Sequence, residues 1–232
     1  MDYPSSFEAS DKASLIAQRN HIIFSIIVFL LLTLAALFSG FVFNKESSLF
    51  KPFTICVIAS LLIATILKFV VKICKWDRKW FDGRAVAESI KTAAWRYVMG
   101  VKPFGIQLSP EEVDKKFTGE VTEIIRSRPT IHGAVSTCLS TGRQITDKMR
   151  EIRSNNVEGK KVIYLNERIK DQWNWYTKKA AYNGRQENCW FAFAIITQVL
   201  AIILAFCKLY VRSQVKVYHP ANAKVYHPPH SY

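Results

Sequence analysis

The densest group of side chains able to do chemistry is a stripe of five: Trp80, Arg84, Glu88, Lys91 and Trp95. They stand four, four, three and four positions apart, which puts them on one face of a helix. The chemistry on offer is ion pairing and stacking, not bond making. Arg84 reaches Glu88, Glu88 reaches Lys91, and the Arg84 guanidinium can stack on the Trp80 ring. Glu88 is therefore read as a member of an ion pair and not as a general base. A solvated face has no use for tryptophan at both ends, so the stripe is expected to meet either a partner or another part of the chain. A second set, Tyr164, Arg168, Gln172 and Trp175, also falls at helical spacing, with Asp171, Tyr176 and Lys179 beside it.

The patterns that mark catalysis do not occur. The sequence holds no GxxxxGKS/T phosphate loop, no GxGxxG, no GxSxG elbow and no HExxH. His21 and His132 lie far apart, with no carboxylate or thiol partner near either in sequence. The cysteines are Cys56, Cys74, Cys138, Cys189 and Cys207, none in a CxxC pair. Three lie in or beside apolar runs, and Cys138 and Cys189 fall on the side expected to be reducing, so neither a disulfide nor zinc is expected. His219, His227 and His230 could bind a metal, but they sit in a tail that repeats KVYHP and ends PPHSY, and this reads as unstructured. No catalytic, cofactor or metal site is expected, and no enzyme.

The elements that must carry these residues begin with two apolar runs, Ile22 to Phe43 and Pro52 to about Ile73, joined by Asn44 to Lys51. At about 1.5 Å per residue each crosses the roughly 30 Å hydrocarbon core of a bilayer. Lys68 and Lys72 can snorkel to the head groups. The first run is too long for a removed signal, and a second span follows at once. A third run, Trp190 to Phe206, sits at the short end of the spanning range. Gln198 is the one strongly polar side chain deep in any of the three, so it should face protein or water. Small residues recur four apart at Ala35/Ser39, Ala36/Gly40 and Cys56/Ser60/Ala64. Such faces let helices approach closely, within one chain or between chains.

Between the runs the pattern is helical. Residues 75 to 100 read as a helix continuing inward from the second span, with Gly83 its one break signal. Ser109, Pro110 and Glu112 give an N-cap, a first-position proline and a capping box. That helix should run to about Ser127, with Phe117, Val121, Ile124 and Ile125 on its apolar face. Residues 129 to 142 read as a loop or short helix. Another helix is expected from about Gln144 to Ser154, and a long amphipathic one from about Lys161 towards Trp190. The fold class expected is an all-α membrane protein: an N-terminal transmembrane hairpin, a cytoplasmic helical region and a third transmembrane helix near the C-terminus. Its segments are 1–20, an N-terminal cytoplasmic piece; 21–104, a two-span unit with a helical extension; 105–160, a helical linker; 161–211, an amphipathic helix with one span; and 212–232, a disordered tail.

Net charge is +14, from 32 Lys and Arg against 18 Asp and Glu. Lys75, Arg78, Lys79, Arg84 and Lys91 follow the second span, against Lys12 and Arg19 before the first and Lys45 and Lys51 between them. The excess predicts that the N-terminus and residues 76–188 are cytoplasmic and that the short loop faces outward. Cations flank the third run on both sides, so charge gives it no preferred direction, and its insertion is expected to be inefficient. Anionic membrane lipids are the expected partners for the basic flanks. Nucleic acid is not, because Asp and Glu are interleaved with the cations.

Two stretches carry a resemblance to a known family. They are WDRKWFDGRAVAESIKTAAWRYVMGVKPF, residues 76 to 104, and ITDKMREIRSNNVEGKKVIYLNERIKDQWNWYTKKAAYNGRQENCW, residues 145 to 190. Their RAxAESIKTxxWRY and YLxERIxDQxxWYxxKA patterns resemble those of SLATT domains, two-span membrane effectors of prokaryotic conflict systems, and more narrowly the tandem form with two such units. The resemblance covers roughly residues 15 to 206. It implies an all-helical inner-membrane protein of defence systems, without an enzymatic site, that oligomerises and permeabilises the membrane. It also implies a nucleotide-sensing or nucleotide-producing partner protein as trigger. A membrane-anchored interaction or sensing protein with no pore activity is the other expectation. The chain departs from the tandem pattern in its second unit, where one span stands in place of two, and it looks truncated or shifted in frame near residue 207.

Overall fold

The computed structural model describes residues 1–39 and 50–218. The helices are α1 (Ser5–Ser39), α2 (Phe50–Cys74), α3 (Trp76–Met99), α4 (Pro110–Arg126), α5 (Pro129–Thr141), α6 (Asp147–Ser154) and α7 (Val157–Ile163); a π-helical turn (Tyr164–Ile169) precedes α8 (Lys170–Tyr218). No strand occurs among the described residues. The chain divides into two units, Met1–Ile163 and Tyr164–Tyr232. Most of the short loop, Gly40, and the repeats and histidines from 219 onward lie outside the described residues.

Among the described residues three helices are long and apolar enough to cross a membrane: α1, α2 with its continuation into α3, and the stretch that holds α8. Their apolar stretches are almost wholly unburied within the chain, and in α8 wholly so. Ile55, Leu62, Ile66 and Phe69 each leave more than half of their surface uncovered. Exposure of that kind over twenty residues needs hydrocarbon around it. This is an all-α, multi-pass membrane protein.

In the first unit α1 does two jobs. It packs on both α2 and α3. Towards its start it buries Ser6, Ser10, Ser14 and Ala17, a ridge of small residues one helical turn apart. Further along it buries Val28 and Ala35, and α2 buries Ser60 and Ala64. Ring pairs fasten α1 at two levels, Phe38 to Phe53 of α2 at 5.3 Å and Phe24 to Trp76 at the start of α3 at 4.7 Å.

The second span does not pass smoothly into α3. Lys75 adopts a left-handed conformation (φ 49°) that interrupts the helix. Gly83, expected to mark a break, lies inside α3, and its role is spatial. A Cβ there would stand 3.0 Å from Ser14 Cβ and 3.2 Å from Ser14 Cα. The missing side chain lets α3 lie against α1, and Ser14 Oγ donates to the Trp80 carbonyl at 3.2 Å. Gly100 closes α3 in the left-handed conformation (φ 72°), where glycine is unstrained.

The core outside the apolar stretches forms around α3, on which α1, α4, α5 and α6 all pack. Tyr97, Phe104 and Phe117 pack as a ring triad with centroids 5.0 to 6.1 Å apart. Ile90, Met149 and Ile152 are fully buried beside them, each contributing about 1.5–3 kcal/mol by removal from water. α4 starts as expected: Ser109 Oγ accepts from the Glu112 N–H, and the Glu112 carboxylate accepts from the Ser109 N–H. Residues 129–141 form a helix and not a loop.

α6 begins later than expected, after Thr146, whose hydroxyl accepts from the Met149 N–H. Gln144 stays outside it because its amide is used elsewhere, accepting from Ser6 Oγ at 2.6 Å and donating to Ser5 Oγ at 3.0 Å. These bonds tie the N-terminus to the α5–α6 connection. α8 carries the helical backbone to Tyr218, into the segment expected to be unstructured from residue 212. No proline or glycine stands between residue 212 and Pro220.

Candidate functional site

The stripe of α3 is laid along α1. Arg84 bridges two carboxylates, Asp11 at 2.9 Å and Glu88 at 2.7 Å. Lys91 holds its ammonium 5.4 Å from the centroid of the Tyr3 ring. Trp95 is 3% exposed, and its indole N–H donates to the Tyr3 hydroxyl at 3.1 Å. Trp80 stacks on Phe81 at 5.0 Å and lies 6.3 Å from the His21 ring. The structure therefore brings Trp80, Arg84, Glu88, Lys91 and Trp95 together and sets them against Tyr3, Asp11, Ser14 and His21 of the same unit. The one sequence signal that could have pointed to α1 as their cover is the Ser6, Ser10, Ser14, Ala17 spacing. Serine reads as polar, so the ridge passes for a solvated face until α3 is laid on it.

In the second unit Tyr164 and Arg168 fall in the π-helical turn, and Gln172 and Trp175 in the first turns of α8. Trp175 meets Tyr176 edge-on at 4.9 Å. Arg168 buries its Nη1 without a hydrogen-bond partner among the described residues. Gln198 is exposed in the middle of the apolar stretch. Trp190 and Phe193 form an edge-on pair near its start, where amphipathic rings suit the level of the head groups.

Sequence reasoning missed a polar network on the core. The Tyr97 hydroxyl donates to Asp114 at 2.6 Å, and Arg150 donates to the other Asp114 oxygen at 2.7 Å. Arg153 donates to three carbonyls, those of Tyr97, Phe104 and Gly105, at 2.6 to 3.0 Å. These groups line a cavity of about 420 Å³ with Ile106, Leu108 and Val113. Burial, and then the bond to Asp114, push the Tyr97 hydroxyl up to about 12. A phenol held neutral, a paired carboxylate and a guanidinium bonded to three carbonyls lock a loop in place and offer no nucleophile or proton shuttle. The pattern was not legible because Tyr97, Asp114 and Arg150 come from three separate helices. Among the described residues no three His, Cys, Asp or Glu side chains gather as a metal would require.

Comparison with known proteins gives two adjoining matches. Residues 4–161 match the family described as SMODS and SLOG-associating 2TM effector domain 3. Residues 164–224 match the one described as SMODS and SLOG-associating 2TM effector domain 1. The boundary between the two matches falls at the division between the two structural units. No curated protein and no solved structure matches the chain.

Proposed function

Since the chain belongs to the SLATT family of two-span membrane effector domains of conflict systems, with a short second unit in tandem, we propose that it assembles with copies of itself in the inner membrane and permeabilises it. Residues 76–188 then lie in the cytoplasm, where a nucleotide-sensing or nucleotide-producing protein supplies the trigger. The chain acts by assembly and not by catalysis. The observation that carries this reading is α8. Its apolar stretch buries nothing within the chain and exposes Gln198 at its middle. A carboxamide in hydrocarbon seeks a partner, and the same carboxamide on another copy is one. A ring of such amides would line a polar path.

The second reading, an anchor for a sensing or interaction module with no pore, draws support from the hairpin. Ala35, Ser60 and Ala64 are buried inside one chain, so those small residues are not free to pack between copies. One experiment separates the two. Full-length protein reconstituted into vesicles loaded with a small dye is assayed for leak, and its size is measured in detergent. Leak with an oligomer, both reduced in Gln198→Leu, is the expected result. A monomer that inserts and leaks nothing would leave the anchor reading standing.

A further inference from the structure

At the base of the hairpin a cleft of about 420 Å³ is lined by His21, Lys68, Val71, Lys72, Lys75, Asp77 and Arg78. Four cations face a single carboxylate, Asp77. His21 also keeps its Nδ1 buried with no hydrogen-bond partner among the described residues. The cleft is open to the start of α3, whose N-cap position is held by Lys75 and is capped by no side chain, since an ammonium has no acceptor to offer. The positive end of that helix adds to the field of the cations. Of these groups His21 alone meets the stripe, through the Trp80 ring at 6.3 Å.

Depth identifies the ligand. His21 is the last residue before the apolar run of α1. Lys68, Lys72 and Lys75 lie where the apolar run of α2 ends. The cleft therefore sits where both spans leave hydrocarbon, at the level of lipid phosphates. Its long cationic side chains are well suited to that layer: stems along the apolar helices, heads at the phosphate. We propose that the cleft of His21, Lys68, Lys72, Lys75 and Arg78 binds the phosphate of an anionic lipid head group. Bound there, the phosphate bridges the end of α2 and the start of α3 across the kink at Lys75. The site does not depend on whether the protein forms a pore.

The test uses the full chain in detergent, with binding of dioleoyl phosphatidylglycerol, dioleoyl phosphatidylcholine and inorganic phosphate measured by native mass spectrometry and by competition. Phosphatidylglycerol should bind in preference to phosphatidylcholine. Lys72→Gln should weaken it about five-fold, and Lys72→Gln with Arg78→Gln about thirty-fold. Lys115→Gln with Lys116→Gln removes the same charge from an exposed face of α4 and should leave binding unchanged. The two lipids binding alike would overturn the site. So would equal loss in the two double variants, which would make the preference one of net charge. Inorganic phosphate displacing the lipid at equal concentration would overturn the assignment to lipid.

Discussion

Gly83 and Gly119 are both helical glycines, and a methyl group should affect them in opposite senses. At Gly119 nothing lies within 4 Å of the added Cβ, so Gly119→Ala should stabilise by about 0.5–1 kcal/mol through the unfolded chain. At Gly83 the new atom meets Ser14 Cβ, Cα and N at 3.0 to 3.2 Å. Backbone cannot give way as a side-chain tip can, so Gly83→Ala should cost about 1–3 kcal/mol. Urea unfolding of the full chain in mild detergent checks both, and a Gly83→Ala protein as stable as wild type would contradict the close crossing. Tyr97 gives a pH test. Its hydroxyl is held near 12 in the fold, against about 10 in an unfolded chain. Between those values the unfolded state loses the proton first, so stability falls as pH rises from about 10 to 12 and is complete below that window. Tyr97→Phe should flatten the fall, measured as the midpoint of unfolding against pH. Residue types and spacing were enough to assemble the stripe, since Trp80 to Trp95 obey one local period. The ridge that covers it and the Tyr97–Asp114–Arg150 network were not legible, because each depends on which helices become neighbours.

At the scale of elements, α4 was the most legible start in the chain, because every signal for it is local. Ser109, Pro110 and Glu112 act within one turn. The backbone N–H and hydroxyl of Ser109 hold the Glu112 carboxyl below its ordinary range. A lowered carboxyl adds stability above the unfolded value and loses it as pH falls through the folded one. Ser109→Ala removes the hydroxyl and keeps the backbone N–H, so it should destabilise somewhat more at neutral pH than in acid, read from thermal melts at pH 7 and at the lowest pH the protein tolerates. An equal cost at both would show that the Ser109 hydroxyl takes no part in holding the carboxylate. The apolar runs were legible by the same logic, since length and hydropathy need no neighbours. α5 was ambiguous because its Gly, Ser and Thr content suits a loop, and burial of Ile131 and Val135 in the core decides for a helix. The kink at Lys75 had no signature, since lysine has no intrinsic liking for a left-handed backbone.

For the whole molecule, the side of the membrane proposed for the core rests on charge and is open to a direct test. The cations after α2 argue that residues 76–188 face the cytoplasm. Ser154 is exposed at the end of α6, so Ser154→Cys in a background lacking the native cysteines should resist a membrane-impermeant maleimide in intact cells and react after permeabilisation. Reaction in intact cells would reverse the orientation. The tandem arrangement was legible from the two sequence patterns, whereas burial within each unit was not, since it depends on tertiary packing. One further consequence follows from α1, a single 35-residue helix that is clamped to α3 at Ser14 and runs on through the apolar stretch to Ser39. Mechanically it is a lever pivoted near one end. At about 1.5 Å per residue the long arm beyond Ser14 measures roughly 38 Å. A rotation of the core by about 10° at that pivot would sweep the far end through roughly 6 Å, more than the pitch of one helical turn. Torque applied to the soluble half thus reaches the opposite face of the bilayer without passing through any loop.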